Sequence, residues 1–334
     1  MQTLVTGGGG FLGRYIVERL LDRGDDVRIF SRSRYPELEN QGVECLTGDL
    51  RDADAVAAAC AGRDAVFHTA AVPGVWGPWS LYYETNTVGT RNVVAGCRQH
   101  AVSKLVYTSS PSVVYDGRPH EGADESLPYP RRFRCHYPHS KALAEQAVLA
   151  ANDPATLRTI ALRPHLIWGP RDNHLLPRLI LRVKSGRLRR IGNGVNRVSM
   201  SYVENVAAAH IQACDALAAG LPCAGRAYFI NEPEPVRLWD WVADLLARAG
   251  LPPVQRSVPY PVAYGAGAVL EGLFTLVRFP YEPIMTRFVA SQLATSHWYR
   301  IDAAIHDFGY APPVSTDEGL RRTEPDLRRW AAEL

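Results

Sequence analysis

The run Thr6-Gly7-Gly8-Gly9-Gly10-Phe11-Leu12-Gly13 restricts the fold more than any other stretch of the chain. It follows Gln2 to Thr6, which reads as a short buried strand. It precedes Phe11 to Arg23, where Ile16, Val17, Leu20 and Leu21 share one helical face before Gly24. Strand, glycine turn and helix make a βα unit whose backbone can approach a ligand closely, because glycine has no Cβ. The helix that follows presents free N–H groups at Phe11, Leu12 and Gly13, a place for an anion. A dinucleotide pyrophosphate suits such a turn. Four consecutive glycines leave two registers open, Gly8-x-Gly10-x-x-Gly13 and Gly7-x-x-Gly10-x-x-Gly13. A purely structural glycine turn is the plainer alternative.

The alternation continues. Asp26 to Phe30, Val43 to Leu46, Asp64 to His68, Lys104 to Thr108 and Thr159 to Arg163 read as strands. Helical sequence covers Asp52 to Cys60, Glu84 to Gln99 and Tyr137 to Ala151. Repeated βα units predict an α/β fold, a doubly wound parallel sheet of the Rossmann type. After Pro164 prolines and glycines become frequent, at 169–194 and 252–283, and a smaller, discontinuous C-terminal substrate lobe is expected there. Residues 1–168 plus 198–232 are assigned to the dinucleotide domain, and 169–197 plus 233–334 to the lobe. Ser315-x-x-Glu318 reads as a capping box opening a short final helix.

Composition narrows the function. The chain has 334 residues, 46% hydrophobic and 21% charged, with net charge +3 and scattered basic residues. Nucleic acid is therefore not an expected partner. Six cysteines form no C-x-x-C pair, so neither a metal site nor a disulfide framework is expected. Strand-like sequence begins at Gln2, so no export leader is expected and a cytoplasmic location is. Val262 to Val277 is the least interrupted apolar stretch; at 1.5 Å per residue it spans ~24 Å, short of a bilayer core of roughly 30 Å. It reads as a helix of the substrate lobe, or as one lying on a membrane surface.

Tyr137 and Lys141 stand four residues apart, a spacing that puts both on one helical face. A neighbouring ammonium would lower the tyrosine pKa and make its phenol a workable acid or base. Just after a strand, Thr108-Ser109-Ser110 places a serine where the carboxyl end of a parallel strand meets the ligand crevice. Ser110 is favoured to hold a substrate oxygen, with Ser109 the alternative. The second strand ends in Ser31-Arg32-Ser33-Arg34 instead of an acidic residue. A guanidinium pairs with a 2′-phosphate, which favours NADP(H) over NAD(H); solvated turn residues are the plainer reading. Asp49 is a candidate acceptor from adenine, or a helix cap.

These pieces together resemble the extended short-chain dehydrogenase/reductase family. They are Thr6-Gly7-x-x-Gly10-x-x-Gly13, Gly48-Asp49-Leu50, His68-Thr69-Ala70-Ala71, Asn86-x-x-Gly89-Thr90, Thr108-Ser109-Ser110, Tyr137-x-x-x-Lys141 and Leu162-Arg163-Pro164. Arg163-Pro164-x-x-Ile167-Trp168-Gly169-Pro170 and Tyr202-Val203-x-Asn205 resemble its 3β-hydroxysteroid dehydrogenase branch. Ser33-Arg34-Tyr35-Pro36-Glu37-Leu38, Leu149-Ala150-Ala151-Asn152-Asp153 and His297-Trp298-Tyr299 are similar to bacterial members of that branch that act on long-chain 3-oxo acids. The resemblance implies an oxidoreductase in which Ser110, Tyr137 and Lys141 are catalytic. It implies cofactor contacts from Gly7, Gly10, Phe11, Leu12, Gly13, Ser31, Arg32, Asp49, Leu50, Ala70, Ala71, Asn86, Pro164 and Ile167. By the same analogy a homodimer is expected. The implied substrate is a hydrophobic small molecule, a long-chain 3-oxo acid or a 3β-hydroxysteroid. Arg131, Arg132 and Arg134 are candidates for its acidic end, or simply a solvated loop. His68, where the family has Asn-Ala-Ala, is expected to be structural. An NAD-dependent sugar-nucleotide epimerase would want an acid at Ser31, and a non-enzymatic NADP-binding regulator would not need the Tyr/Lys pair.

Overall fold

A computed structural model describes residues 1–277, 279 and 281–334. Arg278 and Pro280, inside the apolar segment 260–290, lie outside the described residues. Seven parallel strands form the main sheet: β1 (Gln2–Thr6), β2 (Asp26–Ser31), β3 (Glu44–Thr47), β4 (Ala65–His68), β5 (Lys104–Thr108), β6 (Arg158–Pro164) and β7 (Arg226–Ile230). Their spatial order is β3-β2-β1-β4-β5-β6-β7. The order reverses direction between β1 and β4, and the crevice outside the carboxyl ends of those two strands is where ligands bind in open parallel sheets.

Alternating strand residues feed two cores, as the pleat requires. Val5 and Phe67 face one side, where α1 (Phe11–Asp22) contributes Ile16, Val17 and Leu20 and α5 (Val203–Ala219) contributes Val206 and Ala209. Leu4 and Val66 face the other. There Val56 of α2 (Ala53–Cys60), Val93 and Cys97 of α3 (Gly89–Gln99) and Val148 of α4 (His136–Ala150) close the layer. The segment ahead of α3, Tyr83–Val88, is π-helical rather than α-helical.

A third core holds the smaller part together. Trp168 and Tyr202 meet Leu176, Ile180, Trp241 and Leu245. Leu327 and Trp330 join them from α7 (Thr316–Glu333). Ser315 caps that helix as expected, accepting from the Glu318 N–H at 3.3 Å. The helix is long, not short: it runs through Pro325, because burial of Thr323, Leu327 and Trp330 outweighs the hydrogen bond that proline removes. Residues 233–334 do not all stay together. Ile301, Ala304, Phe308 and Tyr310 pack into the main core beside β7 and α5. The helix α6 (Tyr260–Leu276) keeps only Ala263 and Gly267 buried. Among the described residues, no helix is long and apolar enough to cross a membrane.

Candidate active site

A cavity of about 530 Å3 opens at the crevice between β1 and β4. Its wall contains Gly7, Gly10, Phe11, Leu12, Gly13, Ser31, Arg32, Asp49, Leu50, Ala70, Ala71, Ser110, Tyr137, Lys141, Pro164 and Ile167. The topology brings together residues as far apart in sequence as Gly7 and Ile167.

The glycine turn resolves the register. Gly7 takes φ +71°, and its carbonyl accepts from the Gly10 N–H at 2.9 Å. A Cβ on Gly7 would crowd the Ala70 backbone, and one on Gly13 would strike the Gly7 carbonyl. Gly8 is spent differently: a Cβ there would strike Ile29 in the core. The spacing in use at the cavity is therefore Gly7-x-x-Gly10-x-x-Gly13. The first turn of α1 carries no side-chain cap and no acidic residue. Its N–H groups stay open to an anion. A dinucleotide fits this donor set, since the turn leaves its backbone bare and the helix end favours negative charge.

At the end of β2 the two arginines part. Arg34 pairs with Glu39 at 3.1 Å. Arg32 lines the cavity and, among the described residues, has no carboxylate partner. Asp49 is not a helix cap; Asp52 caps α2 through the Ala55 N–H at 3.0 Å. Asp49 instead pairs with Arg51 at 2.7 Å, which holds its carboxyl below the usual range. Sequence reasoning missed Arg51 and Tyr35, both in the wall. A Cβ on Gly9 would strike the Tyr35 ring. That approach joins residues distant in sequence, and no local pattern announces it.

The Tyr/Lys pair behaves differently from the expectation. The Lys141 ammonium is buried, donates to the Thr108 carbonyl at 2.6 Å and lies 4.2 Å from the centre of the Tyr107 ring. Burial lowers its pKa to about 7, with the Glu145 carboxylate pulling the other way. Burial also pushes the Tyr137 phenol up to about 12, opposed by the Ser110 hydroxyl. Lys141 does not lower it. The ammonium is committed to the Thr108 carbonyl, and desolvation decides the tyrosine. Ser110 bonds the Ser112 hydroxyl at 2.9 Å. Ser109 also lines the cavity, and its buried hydroxyl has no partner among the described residues.

Asn86, expected to contact the cofactor, sits behind the cavity wall. It is 1% exposed and outside the cavity wall. Its carbonyl accepts from the Val72 N–H at 2.7 Å, and its amide donates to the Val72 carbonyl and to Ser140, both at 3.1 Å. Asn86 thus fixes the wall at Val72 without lining it. His68 is fully buried between Thr6 (2.6 Å) and Thr90 (2.8 Å). Burial drops its pKa to about 3, so it stays neutral. Arg131, Arg132 and Arg134 are exposed and outside the wall.

Comparison with known proteins agrees with this geometry. The chain is 51% identical to the 2-alkyl-3-oxoalkanoate reductase of Stenotrophomonas maltophilia, over 96% of this chain and 98% of that protein. It is 46% identical to the Shewanella oneidensis protein of the same name, over 98% and 86%. The mouse sterol-4-alpha-carboxylate 3-dehydrogenase, decarboxylating, is 37% identical over 96% and 89%. Residues 4–260 match the model of the 3-beta hydroxysteroid dehydrogenase/isomerase family. With a Rossmann sheet, a dinucleotide turn and a tyrosine and lysine in one cleft, the chain belongs to that family and is an NAD(P)-dependent dehydrogenase/reductase.

Proposed function

We propose that this protein interconverts a 3-oxo and a 3-hydroxy group on a long-chain, 2-alkyl-branched acid, using NADP(H). The observation that carries the reading is the meeting of Ser110, Tyr137 and Lys141 with the Gly7/Gly10/Gly13 turn in one cavity. The names of the most similar relatives supply the substrate class. Arg32, without a carboxylate partner among the described residues, supports a 2′-phosphate and hence NADP(H).

Bound there, the nicotinamide supplies or accepts a hydride. The chain's own residues handle the oxygen. Ser110 holds it through its hydroxyl. Tyr137, with a pKa near 12, keeps its proton at neutral pH and donates it to a developing alkoxide. Lys141, poised near 7, holds the Thr108 end of β5 against α4 and returns charge to the site when protonated. Asp49, Leu50, Ala70, Ala71, Pro164 and Ile167 shape the cofactor wall. Residues 1–168 plus 198–232 form the cofactor domain in this reading, and 169–197 plus 233–334 supply most of the substrate side.

The alkyl chains meet apolar surface. Trp76, in the loop after β4, meets Phe274 of α6 edge-on at 6.3 Å between centroids. Each buried methylene contributes roughly 0.8 kcal/mol, so chain length governs affinity. Val269, Leu273 and Leu276 of α6 are at least half exposed. In a cytoplasmic homodimer they are the natural apolar contact, with a membrane surface as the alternative partner. A sterol 3-dehydrogenase is the second reading, favoured by the 37% identity to the mouse sterol enzyme.

The test is NADPH consumption at 340 nm with a long-chain 2-alkyl-3-oxo acid, and NADP reduction with a 3β-hydroxysteroid. Turnover of the acid at least tenfold more efficient than that of the steroid supports the proposal. The reverse order replaces it with the sterol reading.

A further inference from the structure

A second cavity, of about 810 Å3, shares no wall residue with the first. It lies between the helix Leu175–Lys184, α6 and the turn at 282–285. Its size falls in the range of sites that hold one small molecule, roughly 300–1,000 Å3. The floor is apolar, with Ile191, Met285 and Leu293. The rim is basic: Arg178, Arg182, Arg187 and Arg189 stand against one carboxylate, Glu282.

That carboxylate is already taken. Glu282 pairs with Arg178 at 2.9 Å. Arg189 is occupied by the Leu188 and Gly186 carbonyls. Arg182 is half-buried, and among the described residues its guanidinium makes no hydrogen bond or ion pair. Burial and the neighbouring Arg178 both pull its pKa below the ordinary value. A half-desolvated cation at the edge of an apolar pocket is relieved by an anion that arrives with its own apolar body.

We propose that this cavity binds a single-chain fatty carboxylate, with its alkyl chain on the apolar floor and its head group on Arg182 and Arg187. The site is separate from the reduction chemistry. His174 lines the catalytic cavity and Arg182 the second. They stand eight residues apart along one helical stretch, about 12 Å. The carboxylate of a 3-oxo acid, two bonds from the reacting carbon, does not span that separation.

Calorimetric titration of the full chain, without nucleotide, tests this with dodecanoate and dodecyltrimethylammonium below their micellar concentrations. Dodecanoate should bind at least about tenfold more tightly than the cationic amphiphile. Ala266→Trp places an indole in the cavity from an exposed helix position and should weaken dodecanoate about tenfold or more. Arg182→Gln should do the same, while Tyr137→Phe should leave binding unchanged. Thermal melts followed by circular dichroism establish that each variant is folded. Equal affinity for the two head groups overturns the proposal. So does dodecanoate binding that survives both cavity variants or disappears with Tyr137→Phe.

Discussion

At Lys141 burial and a carboxylate pull in opposite directions, and burial wins: the amine falls from its ordinary 10.5 to about 7. Between those values the unfolded chain holds a proton that the folded chain has released. Stability from this site therefore rises as pH climbs from about 7 toward 10.5 and is least below 7. Lys141→Met should stabilise the fold at pH 6 and lose that advantage by pH 10, read as denaturation midpoints at the two pH values. A constant difference would mean that the amine stays charged. In turnover, the reductive rate should fall as pH rises through about 7, and Glu145→Gln should move that fall to lower pH. Arg32 gives the second test at this scale. Arg32→Ala should raise the Michaelis constant for NADPH about tenfold or more and that for NADH little, because one charge-assisted phosphate contact is worth roughly 1.5–3 kcal/mol. Equal changes for both would contradict the phosphate role.

At the scale of elements, α4 is the organising piece. Tyr137, Lys141 and Glu145 recur every four residues along it, so one helical stripe carries the phenol, the amine and a buried anion. Glu145 meets Arg163 of β6 at 2.6 and 2.9 Å and accepts from the Tyr129 hydroxyl at 2.7 Å. Glu145 is fully buried and Arg163 is 4% exposed. Arg163→Met leaves that anion without its cation and should cost about 3–5 kcal/mol in a urea titration. Adding Glu145→Leu should recover much of the loss; no recovery would place the cost in packing. Four-residue spacing made the Tyr/Lys stripe legible in the sequence, and the strand-glycine-helix order made α1 and its turn legible. The bonds of Asn86 to Val72 and Ser140 were not legible, because those partners lie across a fold that no local pattern encodes. The length of α7 was misread because a proline normally ends a helix, and only the packing of Leu327 and Trp330 carries it onward. The pKa of Tyr137 was misread because the four-residue spacing gives proximity but not desolvation.

For the whole molecule, the strand order sets the site: reversal between β1 and β4 opens one crevice, and the glycine turn, β5 and α4 all deliver residues to it. Residues 301–310, near the far end of the chain, return to the core beside β7 and α5. Ligand occupancy of the crevice should therefore be felt by the entire fold. NADPH at a hundredfold excess over its dissociation constant adds about 2.7 kcal/mol and should raise the melting temperature more than NADH at equal concentration. A larger rise with NADH would reverse the cofactor assignment. Tyr137 is the proposed proton donor inside the cleft. Its most direct test is Tyr137→Phe, with NADPH binding followed by fluorescence and NADPH oxidation by a 2-alkyl-3-oxo acid followed at 340 nm. Binding within a few-fold of the parent enzyme and turnover reduced at least a thousandfold is the predicted result. Turnover within a few-fold of the parent would contradict it.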